Sequence, residues 1–95
     1  MANATIRALN IIKAMQSSTF AGISVSELAK RLCIPPANVC RDLDDLMEVG
    51  FVEKREDGRY QLSIALLQIA ISYQTEYNRM TRRIAEINDR VYRNN

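Results

Sequence analysis

Ninety-five residues, 47% apolar and 25% charged, limit the chain to one small globular unit with a modest core. There is no histidine and only two cysteines, which argues against a zinc site or histidine-based acid–base catalysis. Net charge is only +2, weak for a nucleic-acid binder, so its distribution matters more. Residues 1–50 balance five basic against five acidic side chains, and residues 51–95 hold eight against six.

Cys33 and Cys40 lie outside any CxxC pattern and read as reduced thiols. The start of the chain has no basic stretch followed by an apolar run. The most apolar window, residues 62–71, is interrupted by Ser63 and Gln68 and too short for a bilayer. The expectation is a cytoplasmic protein with no cofactor, no metal and no membrane partner. No nucleophile–base pair or phosphate loop is visible, so an enzyme is not expected.

Ile6, Leu9, Ile12 and Met15, with Ile11 beside them, recur at helical spacing, so residues 4–17 read as a first helix. Ser17, Ser18, Thr19 and Gly22 break it. Ser24-Val25-Ser26-Glu27 then matches a capping box, flanked by Ile23 and Leu28 as a hydrophobic staple. The second helix runs to about Leu32, with Leu28, Ala29 and Leu32 inward. After Cys33-Ile34, Pro35 suits a cap and Pro36 the first position of a third helix over residues 36–49. Val39, Leu43, Leu46 and Met47 face inward, and Gly50 stops the helix. Residues 51–55 read as a strand, Glu56-Asp57-Gly58 as a turn, and residues 59–62 as the return strand. Residues 64–92 are helical again.

Two short helices joined by a tight turn, with a helix behind and a hairpin ahead, make a winged helix-turn-helix. The predicted fold is mainly α, with a two-stranded wing and a long C-terminal helix. Residues 1–63 are expected to form a DNA-binding domain, and residues 64–95 an oligomerisation helix. The third helix fits the major groove, and its outer face carries Ala37, Asn38 and Arg41, with Asp45 as a further candidate. Arg41 can pair with guanine, Asn38 with adenine, and Ala37 can touch a thymine methyl, with Pro36 opening the same turn. Arg55 and Arg59 flank the wing tip and can reach phosphates or the minor groove. Ser26, with Ser24, can bring backbone amides of the second helix start near a phosphate. Asp42, Asp44, Asp45 and Glu48 oppose phosphate binding; most are expected to be solvated, or paired with Lys30 and Arg31.

Several segments carry a family resemblance: Arg7-Ala8-Leu9-Asn10-Ile11-Ile12, Ser26-Glu27-Leu28-Ala29-Lys30-Arg31-Leu32, Ile34-Pro35 and Val39-Cys40-Arg41-Asp42-Leu43. Leu46, Val49-Gly50-Phe51-Val52-Glu53 and Gly58-Arg59-Tyr60-Gln61-Leu62 continue it. Over residues 5 to about 70 the chain resembles the isocitrate lyase regulator (IclR) family of bacterial transcription factors. The resemblance implies sequence-specific binding of double-stranded DNA as a dimer. Three departures stand out. The family's ligand-sensing domain has no counterpart here, so no small-molecule effector is expected. Cys33 stands where the family's turn usually has glycine, and a left-handed backbone there costs about 1 kcal/mol. Pro36-Ala37-Asn38 replaces small hydroxyl and basic residues, so a different operator preference is expected.

Leu66, Ala70, Tyr73, Tyr77, Met80, Ile84, Ile87 and Val91 alternate in steps of four and three, the spacing of a coiled-coil seam. The first part, Leu66 to Tyr73, is expected to pack on the winged domain. Tyr73, Tyr77, Met80, Ile84, Ile87 and Val91 are then the dimerisation residues. Ile69, Glu76, Arg83 and Arg90 flank one side of the seam, and Leu67, Gln74, Thr81 and Asn88 the other. A parallel pair offers no charge complementarity, whereas an antiparallel pair centred near Arg83 matches Glu76 with Arg90 at the cost of two adjacent Arg83 side chains. Glu86 with Arg90 and Asp89 with Arg93 are expected ion pairs within the helix. A small dimeric transcriptional regulator is the leading expectation. The alternatives are a DNA-site-recognition subunit in replication, partition or packaging, and a protein-interaction adaptor using the winged helix.

Overall fold

A computed structural model describes residues 3–93. Helix α1 (Ala4–Met15) starts at Asn3, whose side-chain oxygen accepts from the amide of Ile6 at 2.9 Å. Its inward face is Ala8, Ile11, Ile12 and Met15, spaced for one stripe of a helix. Ile6 and Leu9 were expected on that stripe, yet they are 47% and 55% exposed. Both lie outside the stripe that Ile11 and Met15 bury, and Leu9 lines an open groove toward the end of α3. A 3₁₀ turn (Gln16–Ser18) ends the helix, and Gly22 carries a positive φ of 75°. A Cβ at Gly22 would come within 3.0 Å of Arg55 Nη1 and Arg59 Cβ, so only glycine fits between the wing and this loop.

Helix α2 (Val25–Leu32) has the predicted capping box. The Glu27 amide donates to Ser24 Oγ at 3.1 Å, and the Ser24 amide donates to the Glu27 carboxylate at 3.4 Å. The Ser24 hydroxyl, then its amide, lower the pKa of Glu27, with Arg59 and Arg31 adding to the effect. A depressed carboxylate pKa fixes the sign of the pH dependence. This contribution is complete above the ordinary carboxylate range and is lost as pH falls through the lowered folded value.

Cys33 closes α2 in the left-handed region at φ 56°, as the glycine position of the turn demands. Cys33→Gly is therefore expected to raise stability by about 0.5–1 kcal/mol, read from urea denaturation, because the strain exceeds the extra entropy of glycine.

Helix α3 (Pro36–Glu48) follows at once, with Pro35 as cap and Pro36 in the first turn. Val39, Leu43 and Leu46 are buried against Ile11, Met15, Ile23 and Leu28. Strands β1 (Val52–Lys54) and β2 (Tyr60–Leu62) pair antiparallel, with Val52 opposite Leu62. Ile23 adds an isolated antiparallel bridge to β2, exchanging hydrogen bonds with Tyr60 at 2.8 and 2.9 Å. The wing is thereby tied to the loop before α2 rather than standing free.

Helix α4 (Ile64–Arg93) leaves from Ser63, a buried residue whose hydroxyl donates to the Gly50 carbonyl and whose amide donates to Phe51 at 2.9 Å. Thirty residues make a rod about 45 Å long. None of them is buried, so the expected packing of Leu66 to Tyr73 on the winged domain does not occur: Leu66 is half-buried, and Tyr73 is 72% exposed. Ser63 is fixed to the end of α3, and this exit carries α4 away from the core. The radius of gyration, 19.6 Å, far exceeds the roughly 12 Å of a compact chain this long. Along α4 the ion pair formed among the described residues is Glu76–Arg79 at 3.7 Å, instead of Glu86–Arg90 or Asp89–Arg93.

Candidate nucleic-acid interface

The outer face of α3 is set by what its inner face must bury. With Val39, Asp42, Leu43 and Leu46 inward, Ala37, Cys40, Arg41 and Asp44 form the exposed stripe, and Asn38 flanks it half-buried. Pro36 is exposed at the start of the same helix. Among the described residues Arg41 has no acidic partner, so its guanidinium is available. Cys40 and Asp44 belong to this stripe although the predicted outer face omits them. Their spacing from Ala37 and Arg41 contained that information.

Asp42 corrects the expectation that the acids of α3 are solvated. Its side chain is 1% exposed and receives two hydrogen bonds from Arg7 of α1, Nε at 2.7 Å and Nη2 at 2.9 Å. This two-pronged pair raises the Arg7 pKa further, the Asp42 hydrogen bond outweighing partial desolvation. It locks α3 against α1 and so fixes the pitch of the exposed stripe. A signal existed in the sequence, since a carboxylate beside Leu43 on an otherwise apolar face requires a cation. The cation's position, 35 residues upstream, is not readable from local pattern. Asp44, Asp45 and Glu48 are exposed as expected. Lys30 and Arg31 do not pair with them; Arg31 donates to the Ala14 carbonyl at 3.2 Å.

The wing arginines hold protein as well as facing solvent. Arg55 Nη1 donates to the Phe20 carbonyl at 2.8 Å, and Nη2 lies 3.3 Å from Asp57. Arg59 Nη1 donates to the Gly22 carbonyl at 3.1 Å and lies 3.3 Å from Glu27. Their side chains remain 32% and 42% exposed. Lys54 lies over the Tyr60 ring at 5.8 Å. Ser26 is exposed in the first turn of α2. The structure thus brings Pro36, Ala37, Asn38 and Arg41 onto one helix, while Arg55 and Arg59 knit the wing to the loop before α2.

Beside this face, α1 and the end of α3 enclose an apolar groove of about 300 Å³ lined by Ala8, Leu9, Asp45, Val49 and Phe51. No group of side chains suited to hold a metal ion occurs among the described residues. No helix among them is long and apolar enough to cross a membrane.

A family model described as HVO_A0114 matches residues 4–69, more than half of the chain. The chain belongs to the HVO_A0114 family. The match covers α1 through the first turns of α4. No curated protein matches the sequence. Among solved structures, an IclR transcriptional regulator from Silicibacter sp. TM1040, described as putative, is similar at a TM-score of 0.68 and 24% identity, covering 79% of this chain and 29% of its own. An IclR homolog from Microbacterium sp. strain HM58-2 gives 0.65 and 21%, covering 75% and 29%. The multiple antibiotic-resistance repressor (MarR) from Listeria monocytogenes 4b F2365 gives 0.54 and 24%, covering 90% and 70%. The chain therefore spans about 29% of the length of these IclR proteins. At such identities the likeness is one of fold, and that fold is the winged helix shared by both groups of regulators.

Proposed function

We propose that this protein binds double-stranded DNA in a sequence-specific manner and acts as a small dimeric transcriptional regulator. The observation that carries this reading is the outer stripe of α3, which presents Arg41, without an acidic partner among the described residues, on a helix held in place by Arg7 and Asp42. A helix so exposed, braced by α2 and followed by a wing, has the dimensions and the donors for the major groove. Arg41 and Asn38 read bases, Ala37 and Pro36 pack against them, and Arg55, Arg59 and the α2 start at Ser26 hold the backbone. The IclR-like and MarR-like folds of the structural neighbours, both of regulators by their descriptions, support the same reading.

Base and backbone readers separate by experiment. Arg41→Ala is expected to weaken the selected site by about 1–3 kcal/mol and to relax preference at one position. Arg59→Ala is expected to weaken all sequences alike and to flatten the salt dependence. Titration of matched and scrambled duplexes at two salt concentrations distinguishes them.

The adaptor alternative draws on the apolar groove beside α1, where Leu9 and Val49 are 55% and 62% exposed. A protein of that kind would show no salt-dependent duplex binding.

A further inference from the structure

The seam on α4 is exposed from Ala70 to Val91, with only Leu66 half-buried at its start, and this changes the register that a second copy can adopt. An antiparallel pair limited to the second half of the helix must centre near Arg83. Freed of that limit, the seam closes completely about a centre between Asn78 and Arg79. Leu66 then meets Val91 of the second copy, Ala70 meets Ile87, Tyr73 meets Ile84, and Tyr77 meets Met80. Every layer joins the two alternating core positions of the heptad, as antiparallel coiled coils require.

The flanking charges select this register independently. In the gap between the Tyr73–Ile84 and Tyr77–Met80 layers, Glu76 of one helix faces Arg83 of the other, and the two-fold axis repeats the pair. Arg83 has no acidic partner among the described residues, and Glu76 has only the long contact to Arg79 at 3.7 Å. The centre near Arg83 instead sets two Arg83 side chains together, and the parallel pair leaves both charges opposite Thr81 and Asn88. Seam side chains from Tyr73 to Val91 are 49–72% exposed in the single chain. Two tyrosines of about 150–250 Å² each, with six further seam residues, bring the buried area to the order of the 800 Å² per partner that a stable interface needs.

We propose that α4 pairs with a second copy of itself as a full-length antiparallel coiled coil, with Glu76 and Arg83 in reciprocal interhelical pairs. The two winged domains then stand at opposite ends of a rod, their α4 segments starting about 38 Å apart at Leu66. This proposal rests on the dimeric reading above and specifies its geometry.

A spin label tests it, placed by Tyr92→Cys in the full chain carrying Cys33→Ser and Cys40→Ser. Tyr92 lies off the seam and is 72% exposed. Sedimentation of the labelled chain comes first, and a monomer there overturns the dimeric reading itself. For a dimer, the expected distance between labels is about 40 Å. A distance of about 27 Å, the centre near Arg83, or about 10 Å, the parallel pair, overturns this register and leaves the dimer standing. The charges give a second readout. Arg83→Glu is expected to raise the dimer dissociation constant about tenfold by opposing two pairs of like charge, and Glu76→Arg with Arg83→Glu to restore it. Failure of the double variant to recover overturns the reciprocal pairs.

Discussion

Arg7→Ala is expected to destabilise the winged domain more than any other single truncation on its surface. The carboxylate of Asp42 is 1% exposed, and its two hydrogen bonds come from Arg7 alone. Removing the guanidinium leaves that carboxylate without its cation, and a fall of several degrees in Tm is expected. The double variant Arg7→Met with Asp42→Leu separates charge burial from packing. Replacing both partners by apolar side chains of similar size is expected to recover most of the loss. Thermal and urea denaturation of the three proteins measures this. An Arg7→Ala protein within 0.5 kcal/mol of wild type would show that the Asp42 carboxylate is satisfied by water.

On the proposed pairing of α4, Ile84→Asp with Ile87→Asp is expected to give monomers. The two residues sit on adjacent core positions of the seam and are 56% and 49% exposed in the single chain. In a paired seam they would be desolvated, and a carboxylate there has no cation to meet. Four new charges per dimer are expected to weaken association by more than about 100-fold. The helix itself should lose order as well, because no residue of α4 is fully buried on its own domain and isolated helices are marginal without tertiary packing. Sedimentation velocity and circular dichroism read the two effects, while the winged domain should keep its own unfolding transition. An unchanged dimer would place the interface elsewhere, with the groove at Leu9 and Val49 the first place to look.

Local chemistry made the fold legible. The Ser24–Glu27 box, the Pro36 start, the stops at Cys33 and Gly50, and the Asp57-Gly58 turn each act within a few residues. The structure has each of them where the pattern places it. Long-range pairings were not legible in this way. Ile23 reads as a staple residue, yet it also pairs with Tyr60, and nothing near Ile23 reveals a partner so far along the chain. Arg55 and Arg59 read as free wing charges, yet both donate to carbonyls of the loop that Gly22 keeps close. Periodicity also overreached on α1, where the apolar repeat includes Ile6 and Leu9 although the neighbouring helices cover only the stripe through Ile11 and Met15. On α4 the repeat identifies the apolar seam but not what covers it. That distinction needed the direction in which Ser63 releases the helix.

The most direct test of the DNA-reading proposal is a titration of the intact protein against a duplex selected from a randomised pool, repeated at rising salt. Wild type is expected to bind with an affinity that falls steadily as salt rises, and to prefer the selected site over a scrambled one. Arg41→Ala and Asn38→Ala are expected to erase much of that preference while the fold stays intact by circular dichroism. If Asn38→Ala, Arg41→Ala and Arg59→Ala all bind the duplex as wild type does at moderate salt, the outer face of α3 does not read DNA.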